Sequence, residues 1–163
     1  MPPPLHRAAG LGVNARPMTE ADLAFTAALY ASTRADELAL SGWPEHERRV
    51  FLDQQHSAQH HHYRTYYPGA EWLILEREAE AIGRLYLDEW RDQFRIVDIS
   101  LVPAKRGAGI GKAILRDVQE AARSAGKRVS IHVEKANPAR RLYERLGFAI
   151  AEDKGVYDLM EWE

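Results

Sequence analysis

Residues 95–126, RIVDISLVPAKRGAGIGKAILRDVQEAARSAG, constrain this chain more than any other stretch, because they read as a strand, a glycine-rich loop and a helix in immediate succession. Ile96, Val97, Ile99, Leu101 and Val102 are β-branched or apolar and stop at Pro103, as in a strand buried on both faces. Ile110, Ile114, Leu115, Val118 and Ala122 then recur at helical spacing, and Gly126 ends the run. Gly107, Gly109 and Gly111 therefore fall where a strand hands over to a helix N-terminus. The first turn of a helix carries unpaired N–H groups and the positive end of the macrodipole, which together attract phosphate oxygens. Glycines let an anion come close and permit the backbone angles that aim successive N–H groups at it. Lys105, Arg106 and Lys112 add positive charge around the loop.

Two phosphate loops are excluded by spacing. A Walker loop needs glycine at Arg106 and Ser or Thr at Ala113, and a dinucleotide fingerprint needs glycine at Lys112. The run RGAGIG at 106–111 does fit R-x-x-G-x-G, and twenty-six residues beyond Gly111 the run NPARRLYERLGF occupies 137–148. On these two motifs, in this order, the chain resembles the GNAT acyltransferases, which take acetyl groups from acetyl-CoA. The resemblance covers about residues 70–162, while residues 12–67 match only in the order strand, helix, helix.

Composition narrows the function classes. A chain of 163 residues fits one domain, which buries about 70% of its unfolded surface. The expected division is a flexible Pro-rich arm over residues 1–10 and a single domain over 11–163. With 22 basic and 24 acidic residues the formal charge is -2, which implies no broad basic face for nucleic acid. The absence of cysteine removes disulfides, thiolate nucleophiles and Cys-based zinc sites. No apolar run approaches a membrane span and the start lacks a signal peptide's apolar segment, so a cytoplasmic protein without membrane partners is expected.

Taken in order, Leu11, Val13 and Ala15 alternate as a strand, and Thr19 caps a first helix reaching about Arg34. Pro44 opens a second helix over about 44–63, bearing His56, His60, His61 and His62. His56 and His60 are four apart and so could share a metal, but no convincing third ligand motif accompanies them, and a polar helix face is the expected reading. Strands over 72–76 and 81–87 form a hairpin through the charged turn at 77–80 and lead into the strand before the glycine loop. Residues 129–134 form the next strand, parallel to that one. A helix over 138–146 ends at Gly147, and strands over 148–151 and 156–162 close the sheet. The expected class is α+β: a mixed, mostly antiparallel sheet of about seven strands with four helices.

The resemblance implies that strands four and five splay apart to admit acetyl-CoA. Backbone groups of Ile99, Ser100 and Leu101 would pair with its pantetheine arm, and Arg106, Gly107, Ala108, Gly109, Ile110, Gly111 and Lys112 would form its pyrophosphate loop. Asn137 caps the last helix and in many relatives touches the same arm, although there it lies seven residues before the tyrosine and here six. Tyr143 holds the family's general-acid position. For the base, His132, Glu134 and Asp98 stand on the polar sides of strands five and four and remain alternatives. Trp43, Tyr63 and Tyr66, with the carboxylate of Glu37 and with Asp98, are expected to line the acceptor pocket, which suits an amine on a small molecule or peptide. A homodimer is one of the assemblies left open. The competing reading is an acyl-CoA-binding regulatory module that has lost turnover, and a histidine metal-binding protein is a distant third.

Overall fold

The computed structural model describes residues 2–163. Its strands join one sheet. β1 (Val13–Pro17), β2 (Glu71–Arg77), β3 (Glu80–Glu89) and β4 (Gln93–Leu101) form an antiparallel meander, and β5 (Arg128–Glu134) enters parallel to β4. β7 (Tyr157–Trp162) pairs with β5 and carries β6 (Ala149–Asp153) at the edge, giving the order β1-β2-β3-β4-β5-β7-β6. The helices are α1 (His6–Gly10), α2 (Leu23–Ala39), α3 (Glu45–Tyr66), α4 (Ile110–Ala125) and α5 (Arg140–Arg145). The mixed α+β class and the parallel central pair are as expected from the sequence. Among the described residues no helix is long and apolar enough to cross a membrane.

The two faces of the sheet differ in chemistry. One packs Leu73, Leu75, Leu85, Leu87, Ile96, Val129, Ile131 and Val133 against Ile110, Ile114, Leu115, Val118 and Ala122 of α4. Burial of each such Leu or Ile contributes roughly 1.5–3 kcal/mol, so this face carries most of the apolar driving force. The opposite face mixes buried Ile74 and Tyr86 with polar groups and lies under α2 and α3, where Gln59 reaches Arg84, Tyr63 reaches Asp98, and Arg34 reaches Glu134. α3 buries only His56, whose Nε2 sits 3.0 Å from the Thr26 hydroxyl of α2. Burial and the nearby Arg84 guanidinium push its pKa down, so the imidazole works as a neutral hydrogen-bonding group.

Between the two central strands the ladder is short. Pairing runs from Gln93 opposite Arg128 to Ile96 opposite Ile131 and then stops, although both strands continue. On the other side of β4 the register slips by one: Leu87 faces Ile96 but Tyr86 faces Asp98, so Val97 is a bulge residue. The bulge re-aims β4 where it leaves β5.

Several boundaries correct the sequence reading, and α2 runs on to Ala39 rather than ending near Arg34. Residues 6–10 of the expected arm form α1, because Asp117 of α4, 2% exposed, accepts from the backbone N–H groups of Arg7 and Ala8, both at 3.0 Å. Five residues are too few to show a helical period, and the stabilising carboxylate lies more than a hundred positions away, so the helix count rises from four to five. α3 begins after Pro44 and runs one turn further, to Tyr66. The last helix begins at Arg140 rather than 138, with the preceding residues as turns.

Gly83 of β3 lies directly opposite Leu101, and a Cβ there would overlap the carbonyl oxygen of Ser100 and approach Leu101 Cδ2 at 2.9 Å. Gly83→Ala must therefore displace the end of β4. The expected loss is about 1–3 kcal/mol of stability, read as a lower denaturant midpoint at unchanged slope.

Candidate active site

The glycine loop leaves open space in front of the α4 N-terminus. A 3-10 turn over Pro103–Lys105 follows β4, and Gly107 and Gly109 then adopt φ of 76° and 84°, in the left-handed region that β-carbons disfavour. Gly109 is the residue before α4, and the first helical hydrogen bond is Ala113 N–H to the Gly109 carbonyl at 3.0 Å. The N–H groups of Ile110, Gly111 and Lys112 precede that bond and are left to the loop side. A Cβ added at Gly107, Gly109 or Gly111 would meet nothing within 4 Å, so the space before the helix is open. Arg106 straps the loop to its surroundings, donating from Nε to the Leu101 carbonyl at 3.0 Å and from Nη2 to the Ser32 hydroxyl of α2 at 3.3 Å. One of the carbonyls expected to face the pantetheine arm is thus already engaged by Arg106. Ile99 and Ser100 lie on β4 beyond its last pairing with β5, and the Ser100 hydroxyl turns to Asp98 at 2.8 Å.

Tyr143 is held by how α5 ends. Phe148 N–H donates to the Tyr143 carbonyl at 3.0 Å and Gly147 N–H to the Glu144 carbonyl at 3.0 Å, a Schellman pair, and the two rings meet edge to face with centroids 5.8 Å apart. The side chain is buried, and its hydroxyl has no hydrogen-bond partner among the described residues. Burial, with a further push from the Asp98 carboxylate, raises its pKa above the ordinary tyrosine value, so it stays protonated near neutral pH. Asn137 accepts from Ala139 N–H at 2.9 Å and shapes the turn before α5.

Beneath α3 lies a satisfied ionic cluster. Arg84 holds Asp98 through two bonds, Nη2 to Oδ2 at 2.9 Å and Nε to Oδ1 at 3.3 Å, and also reaches Gln59 at 2.8 Å. Asp98 further accepts from the Tyr63 hydroxyl at 3.1 Å and from Ser100. With Arg84 bound in this way, the Asp98 carboxylate anchors Tyr63 and Ser100 instead of standing free as a base. Glu134 pairs with Arg34 of α2 at 3.1 Å and takes the Tyr157 hydroxyl at 3.4 Å, both on Oε1, leaving Oε2 open. His132 has its Nδ1 3.4 Å from Arg95 Nη1. A guanidinium can only donate, so Nδ1 accepts and the neutral ring carries its proton on Nε2. His132 is exposed on β5, yet partial desolvation and the Arg95 charge lower its pKa, and its Nδ1 lone pair is turned to Arg95.

The other expected acceptor residues do not join this cluster. Glu37 is exposed and pairs with Arg34 at 3.1 Å. Trp43 packs edge-on to Phe51 at 5.3 Å and Tyr66 lies against His62 at 4.6 Å, and among the described residues neither makes a hydrogen bond or ring contact with the Asp98 network.

The model of the acetyltransferase (GNAT) family matches residues 28–148, about three-quarters of the chain. The chain belongs to the GNAT family. Streptothricin acetyltransferase of Streptomyces lavendulae is 37% identical over 71 residues, covering 42% of this chain and 38% of that one. A putative [ribosomal protein bS18]-alanine N-acetyltransferase of Bacillus subtilis strain 168 is 30% identical over 84 residues, covering 49% and 54%. The chain thus spans between 38% and 54% of the length of these curated relatives. The fold is similar to that of the PaiA N-acetyltransferase of Thermoplasma acidophilum, solved in complex with coenzyme A: TM-score 0.69, 16% identity, 93% of this chain and 98% of that one.

In this GNAT chain the loop and Tyr143 were found by motif, while Arg84, Gln59 and Arg95 escaped sequence reasoning. Arg84 did leave a signal, a lone arginine inside the apolar run at 81–87. Gln59 left none, because its role depends on how α3 crosses the sheet.

Proposed function

We propose that the chain transfers an acetyl group from acetyl-CoA to a primary amine of a small molecule or peptide, by direct attack while both are bound. The observation that carries this reading is the Gly107–Gly109 loop, two left-handed glycines that open onto unpaired N–H groups at the start of a sixteen-residue helix. That cradle fits a pyrophosphate, and the unzipped end of β4 offers an edge for an extended amide-bearing arm. Acetyl-CoA supplies the thioester. Tyr143 donates its phenolic proton to the departing sulfur as the C–S bond breaks and the N–C bond forms. An amine acceptor arrives mostly as ammonium, with a pKa of about 10 for a lysine-like group, so its proton must leave first. Among the expected bases Glu134 fits best, through its open Oε2, because Arg95 occupies the lone pair of His132 and Arg84 neutralises Asp98. In this reading Tyr63 and Asp98 shape the acceptor side, supported by their hydrogen bond beneath α3.

Gly109→Val tests the reading directly. The branched side chain fills the open cradle and disfavours a φ of 84°. We expect acetyl-CoA to bind at least about tenfold more weakly by calorimetry, with the fold intact by circular dichroism. An unchanged dissociation constant would remove the pyrophosphate assignment, and failure of the wild-type protein to release thiol across an amine panel would favour a binding module.

A further inference from the structure

Arg95 of β4 is 8% exposed, yet it forms no ion pair within 4.0 Å among the described residues. All its partners are neutral. Nε donates to the Ser130 hydroxyl at 2.8 Å, which passes its own proton to Gln93, and Nη1 reaches the Tyr67 hydroxyl at 3.5 Å and His132 Nδ1 at 3.4 Å. The guanidinium carbon lies 4.7 Å from the centroid of Trp90, whose ring is stacked on Tyr67 at 10°. Asp88, opposite Arg95 in the β3–β4 register, does not close to ion-pair distance. Nη2 has no partner, and it is not among the buried unpaired atoms, so it remains reachable from outside. A buried cation held in one orientation by neutral groups, with one nitrogen, Nη2, unused among the described residues, is costly unless an anion completes it.

We propose that Arg95 is a specificity-determining residue that receives a carboxylate carried by the acceptor, so that the favoured acceptors are amines that also bear a carboxylate, such as amino acids or short peptides with a free C-terminus. Arg95 shares the polar face under α2 and α3 with Asp98 and is the near neighbour of His132, placing it beside the strand opening where the amine is to react. One free nitrogen, Nη2, with its two N–H donors matches a monoanion, whereas a phosphate dianion would bring two negative charges to one cation. The Trp90–Tyr67 stack supplies an apolar wall for the carbon chain between the two charged ends. This inference rests on the acceptor side of the acetyl-transfer reading, and its test separates the two.

Calorimetry with N-acetyl-alanylalanine and its C-terminal amide, on the protein alone and on the protein saturated with coenzyme A, reads the site without requiring turnover. The free carboxylate should bind at least about tenfold more tightly than the amide, and Arg95→Gln, which keeps a donor for Ser130, should bring that ratio near one. Arg95→Lys keeps the charge without the fork and should retain an intermediate preference. Equal binding of the two probes, no binding of either, or a preference that survives Arg95→Gln would overturn the proposal. Coenzyme A binding, measured in the same cell, tests the donor site separately, so a failure there would not be mistaken for a failure at Arg95.

Discussion

Replacing Tyr143 by Phe should lower kcat by about a hundredfold while leaving KM for acetyl-CoA within about twofold. The substitution removes one oxygen and keeps the ring, so the edge-to-face contact with Phe148 and the Schellman end of α5 persist. What disappears is the hydroxyl proposed as the proton donor, whose pKa is raised by burial and by Asp98 and which therefore keeps its proton throughout the neutral range. The need for that proton arises as sulfur departs, so the loss falls on the chemical step and not on binding. It should shrink with acetyl donors whose thiols are more acidic, because such leaving groups need less help. Stopped-time assays of thiol release check both statements. Unchanged turnover, or a deficit indifferent to the leaving thiol, would reduce Tyr143 to a packing residue.

Asp98→Ala should cost about 3–5 kcal/mol of folding stability, because it strands the Arg84 guanidinium, 4% exposed, with Gln59 as its remaining hydrogen-bond acceptor among the described residues and the Tyr86 ring beside it. It also takes the acceptor from Tyr63 and Ser100. Asp98→Asn keeps some of these bonds and should cost less. The decisive comparison is the double variant Arg84→Met with Asp98→Leu, which removes both charges and should recover most of the loss. Urea melts of the wild type, the single variants Arg84→Met and Asp98→Leu, and the double variant give the coupling energy. A coupling near zero would mean that water already reaches the pair and that the cluster under α3 contributes little.

The contrast between these two residues explains what could be read ahead of the structure. Tyr143 lies in a local run whose spacing alone places it on a short helix before Gly147, and the glycine loop is equally local. The sheet followed because β-branched alternation and turn residues are written along the chain, and the parallel β4–β5 step follows from an intervening helix. Asp98 was visible as a polar residue within a buried strand, but its role was not, since Arg84 is fourteen positions away and Gln59 is on a helix with no apolar period to show which side faces the sheet. α1 was missed for a related reason: its partner Asp117 sits on the far side of the sequence and looks, by itself, like an ordinary helix-surface acid. Trp43 and Tyr66 were attractive as large amphipathic groups, and the structure leaves both exposed, Trp43 in the loop before α3 beside Phe51 and Tyr66 at the end of α3 beside His62.

The unlike faces of the sheet have a calorimetric consequence. Detaching the α2–α3 hairpin would expose Arg84, Asp98, Arg95, Gln59 and His56 along with Leu29 and Tyr30, a mixture in which polar groups lower the heat capacity as apolar groups raise it. Detaching α4 would expose an almost wholly apolar seam. Opening on the α2–α3 side should therefore carry a small heat-capacity change per unit of exposed area and a nearly straight dependence of free energy on temperature, whereas loss of α4 should follow the curved dependence typical of global unfolding. The side of the molecule proposed to admit the acceptor is thus the side whose opening would respond to ions more than to cold.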